Sequence, residues 1–221
     1  EKLSTNNFSM AIAKKQTGST TVAATLLVTK AANISVFATG GIGGAHRDSN
    51  NNFDISADLR QLAVTPVNVV CAGPKAILDI PKTIELLESF GVPVITYQNN
   101  TIPAFWSRDS GLNSPIVAET VEEIVQSYRI RTHMGSQTAQ LICNPIPVKN
   151  EIKKDIIAPL INQSIKFAEK NDIKGKDLTP FLLSQILKET EGKSLKANKA
   201  LLFNNIDLAT KIAKTLPVSS N

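Results

Sequence analysis

A chain of 221 residues, 42% hydrophobic and 19% charged with 11 glycines and 11 prolines, has the length and composition of one folded unit. That balance excludes disorder, collagen and coiled coil as descriptions of the whole chain. The net charge of +5 gathers after residue 150, where 12 lysines and no arginine stand against 8 acids. Lysines interleaved with acids, as in Ile165-Lys166-Phe167-Ala168-Glu169-Lys170, describe a solvated helix face, so no nucleic-acid partner is expected. Two histidines and two scattered cysteines give no zinc-site spacing. No apolar run reaches the length of a membrane span and no secretory leader is read, so a cytoplasmic protein with no membrane partner is expected.

In chain order, Gly18 to Lys30 reads as a buried helix opened by glycine and hydroxyl residues, and Asn33 breaks it. Ile34 to Thr39 reads as a strand running into the glycine loop Gly40-Gly41-Ile42-Gly43-Gly44, and the polar stretch 46–52 reads as loop. A short helix is expected over Ser56 to Ala63, then a strand from Val67 to Ala72 that ends in Gly73-Pro74. A helix over Lys82 to Phe90 stops at Gly91, and a strand follows from Val92 to Tyr97. A helix spans Val121 to Tyr128 and a strand Gln140 to Cys143. From there the pattern is helical: Ile152 to Glu169, Leu178 to Glu189, Ser194 to Phe203 and Asp207 to Thr215. Alternating strands and helices predict a three-layer α/β/α fold, a mostly parallel sheet with a helical C-terminal part, as a single domain over 1–221. In such sheets sites form at the carboxyl ends of the strands, here Thr39-Gly40-Gly41 and Ala72-Gly73-Pro74-Lys75.

Several local patterns carry chemistry, each beside a simpler structural reading. The glycine loop fails the dinucleotide pattern, because His46 stands where its last glycine belongs, and a tight turn needing positive φ is the favoured reading. Asp54 and Asp58 lie four apart, on one face if the segment is helical, and two carboxylates can hold a hard cation such as Mg²⁺ or Mn²⁺. Capping of a helix start is the alternative. Lys75 follows an apolar strand and a Gly-Pro turn; burial there lowers a lysine pKa and frees an amine for attack on a sugar carbonyl. Gly18 to Val22 offers helix-start N–H groups to a phosphate, or is simply capped. Cys71, Cys143 and His133 read as structural, the thiols as buried in a reducing compartment, and Trp106 as a packing anchor.

Taken together the segments are less generic. Gly18-Ser19-Thr20-Thr21-Val22-Ala23-Ala24-Thr25, Phe37 to Arg47, Phe53-Asp54-Ile55-Ser56-Ala57-Asp58-Leu59 and Val69 to Ile80 closely resemble the pseudouridine-5′-phosphate glycosidases, also called the indigoidine synthase A-like family. Gly91-Val92-Pro93-Val94, Pro103 to Trp106, Asn144 to Pro147 and Ser194 to Asn198 match in the same order, so the resemblance covers nearly the whole chain. It implies an α/β/α fold, a homotrimer, a Mn²⁺ requirement and reversible cleavage of pseudouridine 5′-phosphate to uracil and ribose 5-phosphate. Carried over by motif, Lys75 is the expected nucleophile and Asp54 the expected metal ligand. Ser56, Ala57, Asp58, Lys2 and Val22 are the expected substrate contacts, with His46 and Asn198 at further active-site positions.

A lysine suits this bond. Ordinary glycosidases protonate an exocyclic oxygen and use a second carboxylate. Here the base hangs from the sugar by carbon, and an iminium between C1′ and lysine supplies the electron sink. The family's proton donor is a glutamate upstream of everything aligned here, so the expectation is a chain that lacks the family's N-terminal segment. Two other readings share the pocket: a non-catalytic protein that binds a sugar phosphate or nucleotide, and a Schiff-base lyase acting on another sugar phosphate.

Overall fold

The computed structural model describes the whole chain except residues 48, 50–52 and 217–221. Two strands near the start, β1 (Lys2–Leu3) and β2 (Ser19–Thr20), pair in parallel. The main sheet is made of β3 (Val36–Ala38), β4 (Asn68–Cys71), β5 (Val94–Tyr97), β6 (Ile116–Ala118) and β7 (Gln140–Cys143). Its spatial order is β3-β4-β7-β5-β6, and every pair is parallel. The central strands β4 and β7 are buried at every residue, as strands covered on both faces must be.

Alternation along those strands builds the layers. Val69, Cys71, Leu141 and Cys143 face α2 (Val22–Ala31), α3 (Ala57–Leu62) and α4 (Ile80–Ser89), meeting Leu26, Leu59, Leu62 and Leu87. Val70 and Ile142 face the other way, onto α5 (Val121–His133) and α8 (Lys193–Thr215), through Ile124, Leu208 and Ile212. A third cluster joins α6 (Lys154–Lys170), α7 (Leu178–Glu189) and α8 to Ala72, Ala76 and Trp106 through Ile157, Ile161, Leu182, Ile186 and Leu201. The fold is a three-layer α/β/α arrangement with a helical C-terminal part, as the alternating pattern predicts. Among the described residues no helix is long and apolar enough to cross a membrane.

Four local differences have physical causes. The segment expected to be helical from Gly18 starts its helix only at Val22, because Ser19 and Thr20 pair with Lys2 and Leu3, with Thr21 as the cap. The expected helices Ser194 to Phe203 and Asp207 to Thr215 are one, Lys193–Thr215. Asn204 and Asn205 fall in the gap between the two expected segments, and asparagine disfavours a helix interior because it competes for nearby backbone. Here their amides donate away from the helix, to Pro145 O and Thr39 O. The helix from Val121 runs past Tyr128 to His133, with the Tyr128 hydroxyl donating to Pro66 O at 3.1 Å. Finally, the short helix Phe8–Ala13 and the edge strand Ile116–Ala118 carry no clear periodic signal and are read only from the structure. The expected loop 46–52 falls partly outside the described residues, at 48 and 50–52.

Candidate functional site

The chain leaves β3 and β4 in two loops that continue the pairing beyond the sheet. Ile42 N–H donates to Gly73 O at 3.2 Å and Lys75 N–H to Ile42 O at 3.1 Å. Lys75 O then accepts Leu78 N–H at 3.0 Å, so the backbone on both sides of the lysine is fixed. The expected turn with positive φ at the glycine loop is not what the glycines provide: among them and their neighbour loop, Gly73 alone is left-handed, at φ +85. Gly41 is needed for close approach instead, since a Cβ there would lie 2.6 Å from the Phe105 ring and 2.9 Å from Gly73 O.

Asp54 and Asp58 do not form a pair on one helical face. The helix starts at Ala57, with Ser56 as its cap accepting Asp58 N–H at 3.2 Å, so Asp54 lies outside it. Asp58 turns inward, 4% exposed, and accepts Ala23 N–H with one oxygen and Gly43 N–H with the other, both at 2.8 Å. That carboxylate therefore joins three segments remote in sequence: the start of α2, the glycine loop and the start of α3. Ala57 is the first helical residue beyond the Ser56 cap. At the start of α2, Ala23 N–H goes to Asp58, Ala24 N–H to Thr21 Oγ1 and Thr25 N–H to Thr21 O. Among the described residues no protein acceptor is seen for the N–H of Val22, one of the helix-start groups that water or a ligand satisfies.

The charged residues share one neighbourhood. Burial lowers the Lys75 pKa from its ordinary 10.5; Asp58 opposes that shift and Lys2 adds to it. Burial likewise lowers His46 from 6.5; Asp54 opposes, and the charges of Lys75 and Lys2 reinforce the change. His46 N–H donates to Asp54 O at 3.0 Å, and Thr179 Oγ1 on α7 lies 3.4 Å from His46 Nε2. Lys2, which says nothing by sequence position, enters because β1 pairs with β2 directly before the Val22 helix start. A cavity of about 370 Å³ lined by Arg47, Leu78, Asp79, Ile80, Ser107 and Lys154 lies beside this cluster, and Lys75 does not line it.

Asn198, expected at the site, comes from the far end of the chain on α8. Its neighbours Ala197 and Leu201 pack with Ala72 and Ala76, on either side of Lys75 in sequence. Its Oδ1 accepts the Trp106 indole N–H at 2.6 Å, and Trp106 stacks edge-on against Phe105 with centroids 5.1 Å apart. Trp106 is thus both the expected packing anchor and a hydrogen-bond partner, a role its sequence context does not signal. Thr179 carries no sequence signal either. Cys71 and Cys143 are free, buried and in register across β4 and β7, whereas His133 is exposed at the end of α5.

A hard divalent cation fits Asp54 in a limited way. Among the described residues no group of three or more His, Cys, Asp or Glu side chains gathers to hold a metal. An ion here would rest on one carboxylate with water or ligand oxygens completing its shell, a donor set that suits Mg²⁺ or Mn²⁺ and not zinc.

The model of the indigoidine synthase A-like proteins matches residues 1–215. The chain is 49% identical over 215 residues to the pseudouridine-5′-phosphate glycosidase of Paracoccus denitrificans, covering 97% of this chain and 71% of that protein. The corresponding glycosidase of Petrotoga mobilis is 48% identical over 219 residues, covering 99% and 72%. Among solved structures, an indigoidine synthase A-like protein from Thermotoga maritima superposes with a TM-score of 0.88 at 34% identity, over 96% of this chain and 70% of that one. The prealnumycin C-glycosynthase AlnA in complex with ribulose 5-phosphate gives 0.89 at 28% identity, over 96% and 72%.

Proposed function

Since the chain belongs to the indigoidine synthase A-like family, we propose that it is an enzyme that reversibly cleaves the carbon–carbon glycosidic bond of pseudouridine 5′-phosphate, giving uracil and ribose 5-phosphate. The observation that carries this reading is Lys75, a partly buried amine of lowered pKa at the carboxyl end of β4, set among Lys2, His46 and Asp58. The ribulose 5-phosphate bound by the C-glycosynthase adds support for a pentose phosphate ligand.

The chemistry follows from that amine. Neutral Lys75 Nζ forms a bond to C1′ as the C1′–O4′ bond breaks, and O4′ takes a proton. A second proton reaches uracil C5, and the nitrogen lone pair then expels uracil to leave a C1′ iminium on Lys75. Water adds to the iminium, the C1′–N bond breaks, and ribose 5-phosphate departs. By the resemblance, the C5 proton belongs to a glutamate upstream of the aligned residues. The Val22 N–H at the helix start and the Lys2 ammonium are suited to the 5-phosphate. Ser56, Ala57 and Asn198 are assigned to the sugar and base. Asp58, expected as a substrate contact, is assigned here the role of shaping the pocket through the backbone N–H groups of Ala23 and Gly43. Asp54 would hold Mn²⁺, whose charge would offset the negative charge of the phosphate ester. A homotrimer in the cytoplasm completes the reading.

Hydride reduction in the presence of ribose 5-phosphate tests it. One pentose phosphate should attach per chain and map to Lys75. An adduct on another lysine, or none while substrate is consumed, overturns the assignment.

A further inference from the structure

We propose that Asn205, to which no role has been assigned, is a positioning residue for this site, acting by fixing the axial register of α8. Asn205 has no exposed surface. Its Nδ2 donates to Thr39 O at 2.8 Å and to Gly40 O at 3.4 Å, and its Oδ1 accepts from Asn144 Nδ2 at 3.2 Å. Asn144 is itself fixed, with its backbone N–H on Cys71 O at 2.7 Å and its Nδ2 also on Asn204 O at 3.1 Å. The Asn205 amide is therefore specified at both ends: it holds the chain just beyond β3 and beyond β7 directly, and reaches β4 only through Asn144.

Two helical turns earlier, about 10.5 Å along the axis, the same helix face presents Asn198 to Trp106. Between them Leu201 packs against the glycine loop, 3.4 Å from where a Cβ on Gly40 would stand. The circuit closes through the aromatic pair: Gly41 lies under the Phe105 ring, Phe105 packs edge-on to Trp106, and Trp106 bonds Asn198. The apolar contacts of Ala197, Leu201, Leu208 and Ile212 are non-directional and set no axial register by themselves. Beside Asn205, the neighbouring Asn204 also anchors this part of the helix, its Nδ2 donating to Pro145 O at 3.0 Å. The amide bonds of Asn205 are directional and buried, so they select one register. In that register the Asn198 amide meets the indole N–H, and the loop that leads to Lys75 keeps its place.

Trp106 is the one tryptophan of the chain, so its emission reports the Asn198 contact directly. Asn205→Leu keeps the number and branching of the side-chain heavy atoms and removes the amide. Ile212→Ala, at a fully buried position farther along the same helix, serves as a destabilised control. With both folded by far-UV circular dichroism, Asn205→Leu should shift Trp106 emission while Ile212→Ala leaves it as in the wild type. If the proposed C-glycosidase reading holds, on which this arm rests, kcat with pseudouridine 5′-phosphate should fall about tenfold to a hundredfold in Asn205→Leu, with no change in Ile212→Ala. Asn205→Ser, whose shorter hydroxyl can reach Thr39 O through a water in the vacated space, should fall between. Wild-type emission and kinetics in a folded Asn205→Leu overturn the proposal. So does failure of both Asn205 variants to fold, which would make the residue a support of the whole fold. Wild-type protein without turnover sinks the activity reading alone, and the emission arm then decides.

Discussion

Asp58 accepts the backbone N–H of Gly43 at 2.8 Å from a position fifteen residues later in the chain, while its other oxygen takes Ala23 N–H. A carboxylate offers only acceptors, which matches two inward-pointing N–H groups. Asparagine can match one of them and sets its own NH₂ against the second. Asp58→Asn should therefore lose about 1–3 kcal/mol of stability, seen as a lower urea midpoint with an unchanged slope. Folded Asp58→Asn with wild-type stability would remove the clamp from the account.

Lys75 sets a pH dependence whose sign is fixed. Its pKa in the folded chain lies below the ordinary 10.5, mainly through burial. Imine formation with ribose 5-phosphate should rise with pH through that lowered value and reach its plateau below the usual lysine range. Stability is linked to the same shift. Between the folded value and 10.5 the unfolded chain binds the extra proton, so stability rises with pH in that window. The cost is fully present below it. Lys75→Met should remove this slope and raise the neutral-pH urea midpoint. Lys75→Arg should keep the charge and form no adduct, because guanidinium does not deprotonate.

Metal dependence tests Asp54 separately. A site resting on one carboxylate and water should bind Mn²⁺ modestly and release it to EDTA. Turnover should stop on chelation and return with Mn²⁺. The electron paramagnetic resonance signal of free Mn²⁺ in a titration gives a readout that needs no activity, and Asp54→Asn should bind at least about tenfold more weakly. Equal Mn²⁺ binding by the two proteins would exclude Asp54 as the ligand.

The thiols of Cys71 and Cys143 should be inert in the native state. The hydrogen bond with Cys71 comes first in pushing the Cys143 thiol well above its ordinary value, followed by complete burial. A thiolate reagent at neutral pH should label neither until urea unfolds the chain, and then both. Labelling of the folded protein at the rate of a free thiol contradicts this placement.

The sequence by itself determined the layers and the neighbourhood of the site. Apolar runs at Val67 to Ala72 and Gln140 to Cys143 read as strands, and the turn after the first puts Lys75 at a carboxyl end. That these two strands are central is decided by the sheet order. The resemblance alone placed Lys2 and Asn198 among the expected site residues, since nothing in their local pattern announces it, whereas Val22 also carries a local helix-start signal. The tertiary structure decided which atoms meet. Asp54 and Asp58 look like a carboxylate pair at helical spacing, yet the helix begins between them and Asp58 serves backbone N–H groups 35 and 15 residues away. Asn204 and Asn205 fall in an expected gap between two helices, yet their amides find the carbonyls of Pro145 and Thr39 across the fold. In both cases local propensity describes what a polar side chain does when only its own segment and water are near. Once the sheet and helices pack, a buried polar group takes whichever partner the packing brings within reach, and that partner is set by residues far away in sequence.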